Sequence, residues 1–540
     1  MHQALRAPAA QAAASSHGLG SALTDLRSTK ALVIDTNPTS RSILRGMLAD
    51  LGVKSDQIKQ VGRYHEARSE LEGTSYDIVL CDYHFNDTDQ TGADLLDELR
   101  RSHSLPYATV FIMVTAEATH GKVAEAAESA LDSYLLKPHN HHALADRLSA
   151  ARLRKMVLAD IFNALQKEDF KLAADLCLAR FAAQKEYWVY AARIGGELLL
   201  RQGRHEEARK MFEALNATKA MPWARLGIAR AQLEGGQIAP ACRTLESLII
   251  DNPSHADAYD VMGRAQLQAG QFDEAYATYQ QAVSLTPGCV MRLQKAGMLA
   301  FYLGKTEEAT RVLEKANALG SSSRQFDFQS LVLLAQIQFK QKDSKGLHKS
   351  LAQLQQAHER APRSVRLRRM YELLHVLSLM LQRQVAEVVR RVKTMSREFS
   401  MADFAFEAAG NSLSLLETLR SSELELPDAE LWIEKLAQRH CTSKVMTETL
   451  CMSVRQHPPY DALVREAYQR IASLSEQCLA QAKSGQASLA IEQMLAHATQ
   501  SGNVRLLDLA DMLLQRYRDE LVDMSLGERL QALRKKQGRA

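Results

Sequence analysis

Two kinds of hydrophobic spacing divide the chain. From Lys30 onward, short continuous apolar runs alternate with stretches of helical period. The runs are ALVID (Ala31–Asp35), YDIVLCD (Tyr76–Asp82), TVFIMVT (Thr109–Thr115) and SYLLK (Ser133–Lys137). Each is apolar or β-branched almost throughout, as expected of strands covered on both faces. Between the first two, SRSILRGMLADLG sets Ile43, Leu44, Met47, Leu48 and Leu51 on one helical face, and Gly52 stops it. Further helical patterns fall at His65–Leu71, Ala93–Ser102, Lys122–Leu131 and from His141 onward. Alternation of this kind predicts a doubly wound α/β domain with a parallel sheet over residues 30–155.

Beyond it the spacing is helical and repeats. LRQGRHEEARKMFEAL, LEGGQIAPACRTLESL, LQAGQFDEAYATYQQAV and FYLGKTEEATRVLEKA align on Ala208, Ala241, Ala275 and Ala309, at spacings of 33, 34 and 34. Five residues before each alanine stands Gly203, Gly236, Gly270 or Gly304. Upstream lie Trp223 with Leu226-Gly227, Tyr259 with Met262-Gly263, and Leu293 with Ala296-Gly297; Pro253 and Pro287 close two units. Around Ala173, EDFKLAADLC reads as a weaker first unit. This pattern resembles the tetratricopeptide repeat, which implies paired antiparallel helices over residues 156–320, stacked because no pair buries its faces alone. A Gly-Ser linker follows at Gly320–Ser323. Helical patterns then continue, as in FQSLVLLAQIQF and LLDLADMLLQRYRDEL, and residues 324–540 are expected to form diverged helical repeats. The expected whole is therefore a flavodoxin-like α/β domain followed by an all-α helical-repeat solenoid.

Composition narrows the function classes. The 540 residues carry 67 Lys and Arg against 63 Asp and Glu, a net charge of +4, too small for a dedicated nucleic-acid binder. The basic runs Arg363–Arg369 and Arg534–Lys536 are read as solvated helix faces, and no DNA contact is expected. Seven cysteines without C-x-x-C spacing suggest reduced thiols in a cytoplasmic protein. The apolar stretch at Val376–Leu381 is far short of the ~20 residues a membrane span needs. Residues 1–29, rich in Ala and Ser with almost no large apolar side chains, are expected to be a disordered tail. No triad, P-loop or metal motif marks an enzyme.

The candidate chemistry lies at the strand ends. Asp35, Asp82, Thr115 and Lys137 each close an apolar run. In an open parallel sheet those ends meet in one crevice. Two carboxylates, a hydroxyl and an ammonium there suit a phosphoryl group: one carboxylate as nucleophile, another beside Mg²⁺, and the lysine and hydroxyl on the transferred group. The constellation resembles the receiver domain of two-component response regulators, over about Lys30–Lys155. The resemblance implies Asp82 as phosphoacceptor and Asp35, Asp82 and the His84 backbone as the Mg²⁺ pocket. It implies Thr115 as switch hydroxyl, Tyr134 as rotating aromatic and Lys137 as phosphate partner, with Pro138 after a cis peptide. The family places a second acid beside the first; here it is Thr36, an uncharged ligand that weakens Mg²⁺. Asp87 and Asp89 follow in the next loop, and His84 and Glu117 flank the crevice. His139, His141 and His142 are read as capping the last helix or facing solvent.

The two resemblances together imply a response regulator of a phosphorelay, with a histidine kinase as donor and a protein-binding repeat region as output. A phosphorylation-independent scaffold built from a pseudo-receiver is the alternative, and a homodimer is allowed by either. By resemblance, the first helix of each repeat lines a groove. That register selects Arg193, Glu197, Arg225, Asp260, Arg264 and Lys295. Four of these six are basic, so an acidic peptide or protein surface is the expected ligand.

Overall fold

The computed structural model describes residues 26–88, 90–102, 104–106, 108–115, 133–138, 140–218, 220–320, 326–518 and 525–537. Most of the expected tail, the Lys122–Leu131 helix, Asp89, Glu117, His139 and Ser321–Ser323 lie outside them. Among these residues the α/β domain holds β1 (Ala31–Ile34), α1 (Pro38–Asp50), β2 (Ile58–Val61), α2 (Tyr64–Gly73), β3 (Ile78–Asp82), α3 (Gly92–Arg101), β4 (Val110–Thr115), β5 (Ser133–Leu136) and α4 (His141–Val157). The strands pair in parallel in the order β2-β1-β3-β4-β5.

Alternation within each strand feeds two cores. Leu32, Ile34, Val79, Cys81, Phe111 and Met113 face α2 and α3 through Tyr64, Leu71, Leu95 and Leu99. Ala31, Val33, Ile78, Leu80, Ile112 and Val114 face α1 and α4 through Leu44, Leu48, Leu144 and Leu148. Leu26 joins the second core at 5 % exposure, so the chain is already held within the segment expected to be tail. The IKQV strand β2 carries no continuous apolar run; only Ile58 and Val61 are buried, which hides it from a search for doubly covered strands.

Helix pairs follow. They are α5 (Ala159–Gln166) with α6 (Phe170–Ala182), α7 (Trp188–Arg201) with α8 (His205–Thr218), α9 (Pro222–Glu234) with α10 (Ile238–Asp251), α11 (Ala256–Gln268) with α12 (Phe272–Leu285), and α13 (Val290–Leu303) with α14 (Thr306–Gly320). Ala173, Ala208, Ala241, Ala275 and Ala309 are all fully buried. Close approach is needed at Gly227, where a Cβ would stand 2.6 Å from the Phe212 ring. The later helices are α15 (Phe328–Lys340), α16 (Ser344–Arg360), α17 (Val365–Leu381), α18 (Val385–Ser396), α19 (Phe406–Ser421), α20 (Ala429–His440), α21 (Lys444–Ser453), α22 (Pro458–Lys483), α23 (Ala487–Ser501), α24 (Val504–Arg516) and α25 (Ser525–Lys536). The described cysteines are all free thiols. Among the described residues no helix is long and apolar enough to cross a membrane.

Candidate functional site: an acidic pocket bridged by a lysine

Parallel pairing brings the ends of β1, β3, β4 and β5 side by side. Cys81 lies opposite Ile34, Val114 opposite Asp82, and Leu136 opposite Thr115. Asp35 and Lys137 are the residues that leave β1 and β5, and the Lys137 N–H donates to the Thr115 carbonyl at 2.7 Å. The Lys137-Pro138 peptide is cis. Lys137 Nζ donates to Asp35 Oδ2 at 2.9 Å and to Asp82 Oδ2 at 2.8 Å. One ammonium therefore bridges the two carboxylates that the strand ends bring together.

Local structure fixes Asp35 further. Asn37 caps α1, its side chain accepting from the N–H groups of Thr39 and Ser40, which turns the first helical turn back toward the strand end. Asp35 Oδ1 accepts from the Asn37 N–H at 2.8 Å, and Oδ2 accepts from Ser40 Oγ at 2.6 Å. The Arg41 guanidinium donates to the Asp35 carbonyl. Asp35 is fully buried and Asp82 is 8 % exposed.

Electrostatics separate the two acids. Burial opposes ionisation of Asp35, but hydrogen bonds from Ser40, Lys137 and the Asn37 N–H outweigh it and hold the carboxyl below its ordinary 3.8. Burial pushes Asp82 above 3.8; the bond from Lys137 works against that shift and the charge of Asp35 adds to it. Burial disfavours the Lys137 ammonium, yet its bonds to Asp82 and Asp35 raise its affinity for the proton.

Tyr134 lies half-buried on β5 with the Arg147 guanidinium 5.2 Å from its ring centre. His84 follows Asp82 on an exposed turn and bridges to Thr91. Asp87 is exposed. His141 and His142 open α4, whose cap is Asn140, and among the described residues no three His, Cys, Asp or Glu side chains group as a metal would need.

Three contributors were missed in the sequence. Ser40 and Arg41 sit on a helix read only for its apolar face. Gly92 is the third: a Cβ there would strike the Asp82 carbonyl and stand 2.8 Å from the Met113 sulfur. Its place at the start of α3 is fixed by Thr91, which shares a reciprocal capping box with Asp94. The signal available was the single glycine in HFNDTDQTG.

A response regulator receiver domain profile matches residues 31–149. Chemotaxis protein CheY-3 of Vibrio cholerae serotype O1 is 31 % identical over 122 residues, 23 % of this chain and 90 % of that protein. Chemotaxis protein CheY of Pseudomonas aeruginosa is 31 % identical over 119 residues, 22 % of this chain and 92 % of that protein. The chain belongs to the response regulator receiver family. Two tetratricopeptide repeat profiles match behind the receiver domain, at residues 199–265 and 256–289. A solved thermophilic TPR protein of Thermus thermophilus is 24 % identical, covering 33 % of this chain and 93 % of that one, at a TM-score of 0.26.

For Mg²⁺, the receiver domain offers the carboxylates of Asp35 and Asp82 and the backbone at His84, hard oxygen donors that fit the ion in kind. Asp35 and Asp82 would hold it.

Among the repeat side chains selected for a groove, Asp260 needs correction. Asp260 is 8 % exposed, and its Oδ2 accepts from Arg292 Nε at 2.9 Å, so it is an interior partner. Arg225 pairs with Asp251 at 2.6 Å and Arg264 with Glu234 at 2.7 Å, while Glu197 receives Arg230. Arg193 lies 5.5 Å from the Trp223 ring centre. Lys295 is half-buried in α13. Two of the four expected cations are thus paired with acids of the repeats themselves, Arg225 with Asp251 of α10 and Arg264 with Glu234 of α9, and further ion pairs run between first helices: Glu197 of α7 meets Arg230 of α9, and Asp260 of α11 meets Arg292 of α13. The Arg363–Arg369 run is likewise internal in its pairing. Arg366 meets Asp327 and Glu407, Arg368 and Arg369 share Glu398, and Arg369 also reaches Asp403.

Proposed function

We propose that this chain accepts a phosphoryl group on Asp82 from a histidine kinase and passes the change to its tetratricopeptide region, which acts by binding another protein. The observation that carries the reading is the Lys137 ammonium held between Asp82 and Asp35 at 2.8 and 2.9 Å. An Asp82 oxygen attacks phosphorus in line; a P–O bond forms as the P–N bond of the donor phosphohistidine breaks, and the electron pair leaves with the imidazole. Lys137 is already within reach of the oxygens that gain charge, so it needs no long rearrangement to pair with the acyl phosphate. Thr115 closes the neighbouring strand and offers a hydroxyl from the adjacent register position. Mg²⁺, when bound, neutralises phosphoryl oxygens. Thr36 in place of a second acid leaves that ion one anionic ligand fewer, so its affinity is reduced.

A second reading is favoured by the same substitution. With Thr36 uncharged and Lys137 already paired with both carboxylates, the domain also suits a pseudo-receiver that scaffolds through its repeats without phosphorylation. Incubation with a small-molecule phosphoryl donor and Mg²⁺ separates the two. Label on the wild-type chain and none on Asp82→Asn supports phosphotransfer. Equal absence of label from both supports the scaffold.

A further inference from the structure

We propose that Ser40 is a positioning residue of the acidic pocket, and that its hydroxyl, by occupying Asp35, limits how tightly the pocket takes a divalent cation. The inference rests on the phosphoacceptor reading above and refines it.

Lone pairs on Asp35 set the limit. A carboxylate offers about four acceptor sites. In Asp35 three are taken: Oδ1 by the Asn37 N–H at 2.8 Å, and Oδ2 by Ser40 Oγ at 2.6 Å and Lys137 Nζ at 2.9 Å. Asp35 is fully buried, so water does not exchange freely with these donors. A cation entering beside Asp35 and Asp82 must use the single site left on Oδ1 or displace a donor from Oδ2. Lys137 is the costly one to displace, because it holds Asp82 as well. Ser40 is the neutral, replaceable one.

The fold makes the contact local and rigid. The Asn37 cap and Pro38 set the direction of α1, and Ser40 lies in its first turn, half-buried and facing the strand end. The hydroxyl and the lysine ammonium donate to the same oxygen, Oδ2. Removing it frees an acceptor site on the oxygen that faces Asp82 and lets the carboxylate rotate toward a cation. With Thr36 supplying no charge, that oxygen carries more of the cation's coordination than it would beside a second acid.

The test is Mg²⁺ titration by calorimetry on the full chain for wild type, Ser40→Ala, Ser40→Thr and Thr36→Asp, with a thermal melt of each. Ser40→Ala should bind Mg²⁺ at least about 3-fold more tightly, Ser40→Thr should match wild type because it keeps the hydroxyl, and Thr36→Asp should tighten binding by its own route. A purely structural Ser40 would move the melting temperature and leave the Mg²⁺ affinity alone. Should Ser40→Ala fail to fold, Ser40→Cys, of similar size with a weak donor, should show the same tightening. Unchanged or weaker binding in the folded Ser40 variant, with Thr36→Asp tighter, overturns the role of Ser40 and leaves the phosphoacceptor reading standing. No Mg²⁺ binding in any of the four overturns both.

Discussion

Four of the early helix pairs and three of the later ones make the same turn with different residues. After α7, α9, α11 and α13 the chain turns through a left-handed glycine: Gly203, Gly236, Gly270 and Gly304, at φ between 72° and 78°. After α15, α17 and α19 the same conformation is held by Lys342, Arg383 and Glu423, at φ of 59°, 60° and 63°. The interiors differ too. In the early pairs small residues let an aromatic ring lie flat, as where Gly196 and Gly227 both face Phe212. In the later ones polar side chains meet each other. The amides of Gln329 in α15 and Asn411 in α19 exchange bonds of 2.7 and 2.8 Å, Ser414 donates to Gln336, and Lys340 lies 3.6 Å from the buried Glu417. A helix pair therefore keeps its turn without the glycine, and takes bonded polar side chains in among its buried leucines.

The largest effect should come from breaking such a partnership. Asn411→Leu takes both of these bonds from the Gln329 amide, which is buried at 1 % exposure and keeps only its contact with Tyr302, and about 2–4 kcal/mol of stability should be lost. Replacing both by leucine should recover part of it, because neither amide is then stranded and only the Tyr302 hydroxyl loses its Gln329 partner. Urea unfolding of the two single variants and the double measures the coupling. Additive losses would mean the two amides do not depend on each other, and the contrast between the two regions would fail at its most telling pair.

A smaller effect separates two glycines in first helices. Gly227→Ala drives a methyl to 2.6 Å from the Phe212 ring, and overpacking should cost about 1–3 kcal/mol. Gly410 in α19 is also buried, yet a Cβ there meets nothing nearer than 3.6 Å. Gly410→Ala should therefore be neutral, or stabilising by up to about 1 kcal/mol through helix propensity. Thermal melts of the two alanine variants check the pair. Equal losses would show that the later region packs as tightly at this position as the early one.

These contrasts explain what was legible. The receiver strands were readable because burial on both faces leaves continuous apolar runs, and β2 was missed because only its end residues are buried. Asp35, Asp82, Thr115 and Lys137 were readable because each stands where such a run stops. Ser40 and Gly92 act through a hydroxyl on a helix turn and a missing side chain, and neither leaves a periodic trace. The 34-residue period was visible where glycine marks the turn; Lys342, Arg383 and Glu423 make the later turns at spacings of 41 and 40, so both the marker and the period are lost. The net charge of the groove positions was illegible for another reason. A one-letter register counts charges on a face and cannot see that Glu234 and Asp251 already hold Arg264 and Arg225.

The smallest expected effect concerns the turns themselves. A side chain held at positive φ carries a steric cost that glycine escapes, of about 1 kcal/mol at such a site. Lys342→Gly, Arg383→Gly and Glu423→Gly should each stabilise the chain, by less than that cost because glycine also loosens the unfolded state. Gly236→Ala should do the reverse, because its φ of 76° then has to accommodate a Cβ, although no neighbour lies within 4 Å to clash with it. The sign is the informative part. If backbone conformation alone decides, three glycine insertions in the later turns raise the unfolding midpoint while one alanine in an early turn lowers it. If the glycine insertions destabilise instead, the stems of Lys342, Arg383 and Glu423 contribute packing that outweighs the strain, and the later turns have replaced conformational freedom with contacts.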